Sequence, residues 1–282
     1  MFRYGVNCAL EEVPLRSPVI LRGSIGQIAK EAAEIGYDGL ELFIREPGQY
    51  DPEMLLKAAR DNGVAFCNIA TGMEYNLNGL SLISDDPALR RAAVKRLCEH
   101  IDLARELDCA VIVGIMRGNI PDFSQYEKYE GYLTEALHEL CAYGEKKNVP
   151  LVLEAILRYI NNYLCSVPET LAYLDKVGRG NLLIHIDSHL MNVEDKNIAE
   201  SVKMCAGKLG YVHFSDSNRA YPGGGTFDFK TMMNALMDIG YGGYITAECQ
   251  PLPNPRGCAK RAYDYMRHLQ GLLEIERLPL TE

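Results

Sequence analysis

Four apolar runs in the second half of the chain each carry one residue able to ligate a cation or move a proton. PLVLE ends at Glu154, LLIHID at Asp187 and YITAE at Glu248, and YVHF contains His213. Each interval between them is the length of one strand plus one helix. Four neighbouring strands of a parallel sheet would therefore deliver Glu, Asp, His and Glu to one small volume. Three carboxylates that close repel one another unless they are protonated or share a cation. Lys and Arg do not recur at these strand ends with comparable regularity, so a divalent metal resolves the conflict. Three oxygen donors and one imidazole nitrogen suit Mn²⁺, Mg²⁺ or Co²⁺, with Zn²⁺ also accommodated, and Mn²⁺ is the expected ion. Singly, a strand-end carboxylate is more often a helix cap or an ion-pair member, and a histidine in an apolar strand is as often core as ligand. It is the recurrence on consecutive strands that favours the metal. His185 lies two residues before Asp187, on the same face and one layer deeper, which marks it as structural or supporting.

The elements that must position these residues follow a single grammar. Short apolar runs recur at 4–8, 39–43, 64–69, 110–113, 150–154, 182–187, 210–214 and 243–248. Between and after them lie segments of helical periodicity at 25–35, 52–62, 87–107, 126–147, 168–177, 197–205, 229–239 and 257–274. Ser24, Asp51, Asp86 and Asp228 stand where N-caps belong, and Gly36, Gly63, Gly178 and Gly240 where helices should stop. Eight strand–helix units predict an α/β fold, a (β/α)8 TIM barrel forming one domain over residues 1–282, with its site at the C-terminal ends of the strands. A doubly wound open sheet is the alternative, but no GxGxxG follows the first strand.

Composition narrows the partners. A net charge of −9 over 282 residues argues against a nucleic-acid groove. No apolar run reaches the length of a membrane span, and the N-terminal stretch lacks an apolar leader core. Nine cysteines without a CxxC pair read as buried small hydrophobes in a reducing compartment. The expectation is a cytoplasmic protein. The loop 71–85 is too apolar for a plain surface loop and is expected to cover the pocket or form an interface, and a homo-oligomer, dimer or tetramer, is expected. Arg117 and Arg158 follow the fourth and fifth strands, where they would bind an anionic group of the substrate or neutralise an acidic rim. The run Gly223–Gly225 suits a phosphate cradle or, more commonly, a turn or lid.

The segments LVLEAI, HIDSHLMN, VHFSDSNR and ITAEC, in that order, with GYDGLEL near the start, resemble the xylose-isomerase-like barrels that include the ketose 3-epimerases. The resemblance spans nearly the whole chain. It implies a metal bound by Glu154, Asp187, His213 and Glu248, with the substrate's C2 carbonyl and C3 hydroxyl oxygens as further ligands. It also implies a metal-stabilised cis-enediolate, with Glu154 and Glu248 as the acid/base pair on either side of the carbon. Arg219, in the SDSNR loop, would hold a substrate hydroxyl, and Glu41 joins the substrate-binding set.

The sequence also departs from the pattern. Relatives commonly read DxxHMN after the sixth strand, whereas here His189 stands one position earlier in DSHLMN, so its expected contact with the carbonyl oxygen needs a rearranged loop. Leu157 and Ile160 stand where epimerases carry polar residues, so the pocket wall should be more apolar, and Thr226 replaces a common histidine. The reading is a metal-dependent isomerase acting on a small sugar or cyclic polyol, by ketose 3-epimerisation or aldose–ketose isomerisation. The alternative is a lyase on the same barrel, an inosose dehydratase or a keto-sugar glycoside-cleaving enzyme. Endonuclease IV-type repair is excluded by an acidic chain with only six histidines, and a catalytically silent binding protein is the remaining class.

Overall fold

The computed structural model describes residues 2–14 and 17–279. Eight parallel strands form its centre: β1 (Arg3–Ala9), β2 (Gly39–Phe43), β3 (Ala65–Ala70), β4 (Ala110–Val113), β5 (Leu151–Glu154), β6 (Leu182–Asp187), β7 (Leu209–Phe214) and β8 (Tyr244–Ala247). Each pairs with the next, and β1 pairs back with β8, closing the ring. A two-residue strand, Leu21–Arg22, pairs in parallel beside Cys8 and Ala9 at the end of β1. The helices are α1 (Ile25–Ile35), α2 (Pro52–Asn62), α3 (Met73–Asn78), α4 (Pro87–Leu107), α5 (Tyr126–Lys147), α6 (Val167–Val177), α7 (Ser188–Glu194), α8 (Ile198–Met204), α9 (Phe229–Asp238) and α10 (Pro255–Glu276). This is the single (β/α)8 domain that the sequence pattern calls for.

Period-two alternation sorts each strand between two environments. On β6, Ile184 and Ile186 are wholly buried in the apolar layer between strands and helices, while His185 and Asp187 sit on the opposite face. Burying each such aliphatic side chain stabilises the fold by about 1.5–3 kcal/mol. Inside the ring, Cys67, Ile112, Val152 and Tyr211 form a packed plug beneath the site. The Tyr211 hydroxyl lies 2.6 Å from Thr246 Oγ1 and 3.2 Å from Cys67 Sγ. Gly5 is required here, because a Cβ at that position would stand 2.3 Å from Thr246 Oγ1. The ring is braced from outside by α10, whose Gln270 Oε1 accepts from the Tyr4 hydroxyl at 2.6 Å.

The expected caps are present. Asp51, Asp86 and Asp228 accept from the backbone N–H of Glu53, Ala88 and Thr231. Gly36 and Gly63 end α1 and α2 with φ of 112° and 70°. Two short helices fall outside the sequence reading, because neither is long enough to show an apolar period. The six residues of α3 lie within the 71–85 loop, and the seven of α7 begin directly after Asp187. Among the described residues no helix is long and apolar enough to cross a membrane.

Candidate active site

Glu154 and Asp187 are the last residues of β5 and β6, His213 is the penultimate residue of β7, and Glu248 directly follows β8. Strand geometry alone therefore brings all four to the C-terminal mouth of the barrel. His213 is buried, and its Nε2 lies 2.7 Å from Oε2 of Glu41, a fully buried carboxylate on β2. With the Nε2–H donating to Glu41, the other ring nitrogen is directed at the carboxylates. Nδ1 stands 3.5 Å from Glu248 Oε2 and 4.0 Å from Asp187 Oδ2 and has no hydrogen-bond partner. Burial alone would lower the imidazole's pKa, but the carboxylates of Glu41 and Glu248 overcome it and hold His213 well above its ordinary value.

Arg219 supplies the permanent positive charge. Its Nη1 donates to Asp187 Oδ2 at 2.5 Å and to Ser215 Oγ at 2.9 Å, and its Nη2 donates to Glu248 Oε2 at 2.8 Å. Glu248 would be raised by burial, but Arg219 and then His213 pull it down to about 2. Glu154 lacks such a partner. Burial, followed by the charge of Glu248, pushes it up to about 8. Without a bound cation, the two glutamates of one site are thus pushed in opposite directions.

The loop carrying Arg219 is organised by Asp216. One of its carboxylate oxygens accepts from the N–H groups of Ser217 and Phe227 at 2.7 and 3.0 Å, and the other from Gly223 at 2.8 Å. A Cβ at Gly225 would stand 2.3 Å from Asp216 Oδ1, so the glycine run serves to wrap this carboxylate. The Arg219 N–H in turn donates to the Asp216 carbonyl at 2.9 Å, with Arg219 itself at φ 63°. Asp216 went unnoticed in the sequence. Its signal was an Asp placed shortly before a glycine run.

A cavity of about 280 Å³ opens over Glu154, His213, Arg219 and Glu248. Thr71, Met73 and Leu77 from the 71–85 segment line it, so that segment does cover the pocket. A larger surface hollow of about 650 Å³ beside Tyr50 and Lys147 contains none of the candidate residues.

This architecture has relatives. Residues 29–269 match the family described as the xylose isomerase-like TIM barrel. The chain belongs to that family. Within it, the chain is 31% identical over 229 residues to the L-ribulose 3-epimerase of Methylomonas sp. (strain DH-1), covering 77% of this chain and 75% of that one. It is 26% identical over 261 residues to the D-psicose 3-epimerase of Agrobacterium fabrum, covering 90% and 88%. A crystal structure of D-allulose 3-epimerase from Methylomonas sp. in complex with D-allulose superposes with a TM-score of 0.80 at 25% identity, over 95% of this chain and 96% of that one. These relatives are isomerases, and this chain is an enzyme of that class.

On this family scaffold the remaining sequence candidates part company. Arg117 is not a rim group. It is fully buried, and its guanidinium donates to the backbone carbonyls of Glu154, Tyr163 and Leu164. Arg158 is exposed but engaged, since its Nε and Nη2 donate to both oxygens of Glu194 at 2.7–3.0 Å. His189 donates its backbone N–H to Asp187 Oδ1, and its Nδ1 lies 3.2 and 3.1 Å from the carbonyls of Asp216 and Ser217, so the ring is tied to the Arg219 loop. Glu41 stands behind His213 and contacts the imidazole rather than the cavity. His185 lies beneath the site, its Nδ1 3.8 Å from Glu154 Oε1 and its ring edge-on to that of His213 at 4.3 Å.

The residues present fit a divalent cation. Ligand-type atoms of Glu41, His213 and Glu248, and of Glu154, His185 and His213, each converge within 4.8 Å, with His213 common to both groups and Asp187 in neither. The unpartnered, buried Nδ1 of His213 faces two carboxylates, and a glutamate behind the ring fixes its tautomer, an arrangement that recurs at histidine–metal sites.

Proposed function

We propose that the protein is a divalent-metal-dependent ketose 3-epimerase in which Glu154, Asp187, His213 and Glu248 hold the ion, with Mn²⁺ the natural choice for a three-oxygen, one-nitrogen set. The observation that carries this reading is the convergence of Glu154, His213, Glu248 and Arg219 on one cavity, with Asp187 paired to Arg219 beside it and Glu41 orienting the imidazole from behind. Bound there, the cation supplies Lewis-acid polarisation of the substrate carbonyl.

The protein's own groups supply the rest. Epimerisation removes a proton from one face of a carbon and returns one to the other, so two groups are needed. Glu154 and Glu248 come from strands on different sides of the cavity. One of the two removes the proton and the other returns one to the opposite face, with the roles exchanged in the reverse direction. Arg219 uses three of its N–H groups on Asp187, Ser215 and Glu248, leaving donors over for substrate oxygens. The lyase alternative draws no support from the relatives described above, which are epimerases.

The test is C3–H exchange in heavy water, followed by NMR, with Mn²⁺-loaded protein and L-ribulose, D-psicose and D-fructose. Exchange on at least one ketose is expected. No exchange on any of them would sink the reading. Glu154→Gln and Glu248→Gln should each abolish exchange, and retention in both would refute the two-carboxylate scheme.

A further inference from the structure

Away from the charged floor, the described residues offer the substrate little to hydrogen-bond. Thr71 lines the cavity, but its Oγ1 already donates to the Ile112 carbonyl at 2.8 Å. Ser17 and Asn76 are the other polar side chains on the wall. The larger apolar side chains of the enclosure include Phe43, Met73, Leu77, Ile115, Ile156 and Ile160. Ile156 packs with Leu157 and Leu190 in a small apolar cluster of its own, supported by Ile115. Arg158 is turned onto Glu194 and does not line the cavity.

Two of the lining residues are left in water at a cost. Leu77 is 60% exposed and Ile160 49% exposed, and both stand on the same cavity. A polyol tail pressed against the apolar part of this wall would give up its water with only Ser17 and Asn76 at hand to replace it. An apolar tail would instead cover the exposed side chains and gain from doing so.

We infer that the substrate is a ketose whose end remote from the charged cluster is apolar, a deoxy-ketose or a ketose bearing an alkyl or aryl substituent. The inference rests on the ketose-epimerase reading of the floor and adds what the wall selects. Ile160 and Leu77 are its specificity-determining residues.

The probes are D-psicose, 6-deoxy-D-psicose and 6-O-benzyl-D-psicose with the Mn²⁺-loaded protein, read by C3–H exchange for kcat/KM and by calorimetry for Kd. At least about a tenfold advantage in kcat/KM is expected for the two apolar-ended probes, with a parallel gain in Kd. Ile160→Gln should remove most of that advantage in both readouts. Equal or better handling of D-psicose by the unaltered protein, in both readouts, would overturn the inference. Exchange on none of the probes, with tighter binding of the apolar-ended ones, would uphold the wall and overturn the epimerase reading. Exchange on none with no binding preference would overturn both.

Discussion

The imidazole of His213 on β7 reaches across the barrel to Glu41 on β2, Nε2 to Oε2, at 2.7 Å. The contact leaves Nδ1 as the ring's only outlet towards Asp187 and Glu248. Removing the glutamate frees the ring to turn, so Glu41→Ala should weaken Mn²⁺ binding by about 10- to 100-fold. Glu41→Gln keeps an acceptor for the Nε2–H and should lose less. Calorimetric titration with Mn²⁺ checks both, and an unchanged affinity in Glu41→Ala would remove the orienting role.

Arg219 neutralises Asp187 and Glu248 at once. In Arg219→Met the two buried carboxylates lose their partner, which should destabilise the metal-stripped protein by about 3 kcal/mol. Mn²⁺ should then raise the melting temperature of the variant by more than that of the unaltered protein. The variant should also lose about 100-fold or more in kcat/KM. Thermal melts with and without the ion test the first part, and an equal metal-induced rise in both proteins contradicts it.

The proton on Glu154 sets a pH dependence. Burial, then Glu248, holds this carboxyl at about 8 against an ordinary 4.5. The folded protein therefore keeps a proton that the unfolded chain has already lost. The resulting stability is fully present below about pH 4.5 and fades as pH rises through 8 in the metal-stripped protein. A cation replaces that proton, so Mn²⁺ affinity should climb over the same window. Binding near pH 6 should release at least about one proton per ion. Titrations in buffers of different ionisation enthalpy measure this, and zero release would contradict it.

Arg117 offers a contrast in kind. Its guanidinium is enclosed by backbone carbonyls of Glu154, Tyr163 and Leu164. Arg117→Met strands those acceptors and should cost about 3 kcal/mol of stability. Arg117→Lys, which cannot reproduce the fork, should lose nearly as much. Urea unfolding decides between this and a rim position, where the loss would be under about 0.5 kcal/mol.

What could be read from the residues and what could not divide along one physical line. Glu154, Asp187, His213 and Glu248 lie at equivalent points of consecutive strand–helix units, so local periodicity was enough to bring them together. Glu41 meets His213 only because the ring closes, a fact of tertiary geometry that neither residue's neighbours encode. Arg117 and Arg158 both look like rim cations in one dimension. Their fates depend on partners 36 or more positions further along, the Glu154 carbonyl for one and Glu194 for the other. The helices α3 and α7 escaped because a turn or two is too short to show a period. α7 is started by the Asp187 carboxylate, which accepts from His189 and Leu190 while also pairing with Arg219.

The wrapping of Asp216 by the glycine run also bears on what may enter. Backbone amides that would otherwise welcome a phosphoryl group are spent on an internal carboxylate. The N–H groups of Ser217, Gly223 and Phe227 are thereby closed to any phosphoryl group, their anion being part of the chain itself.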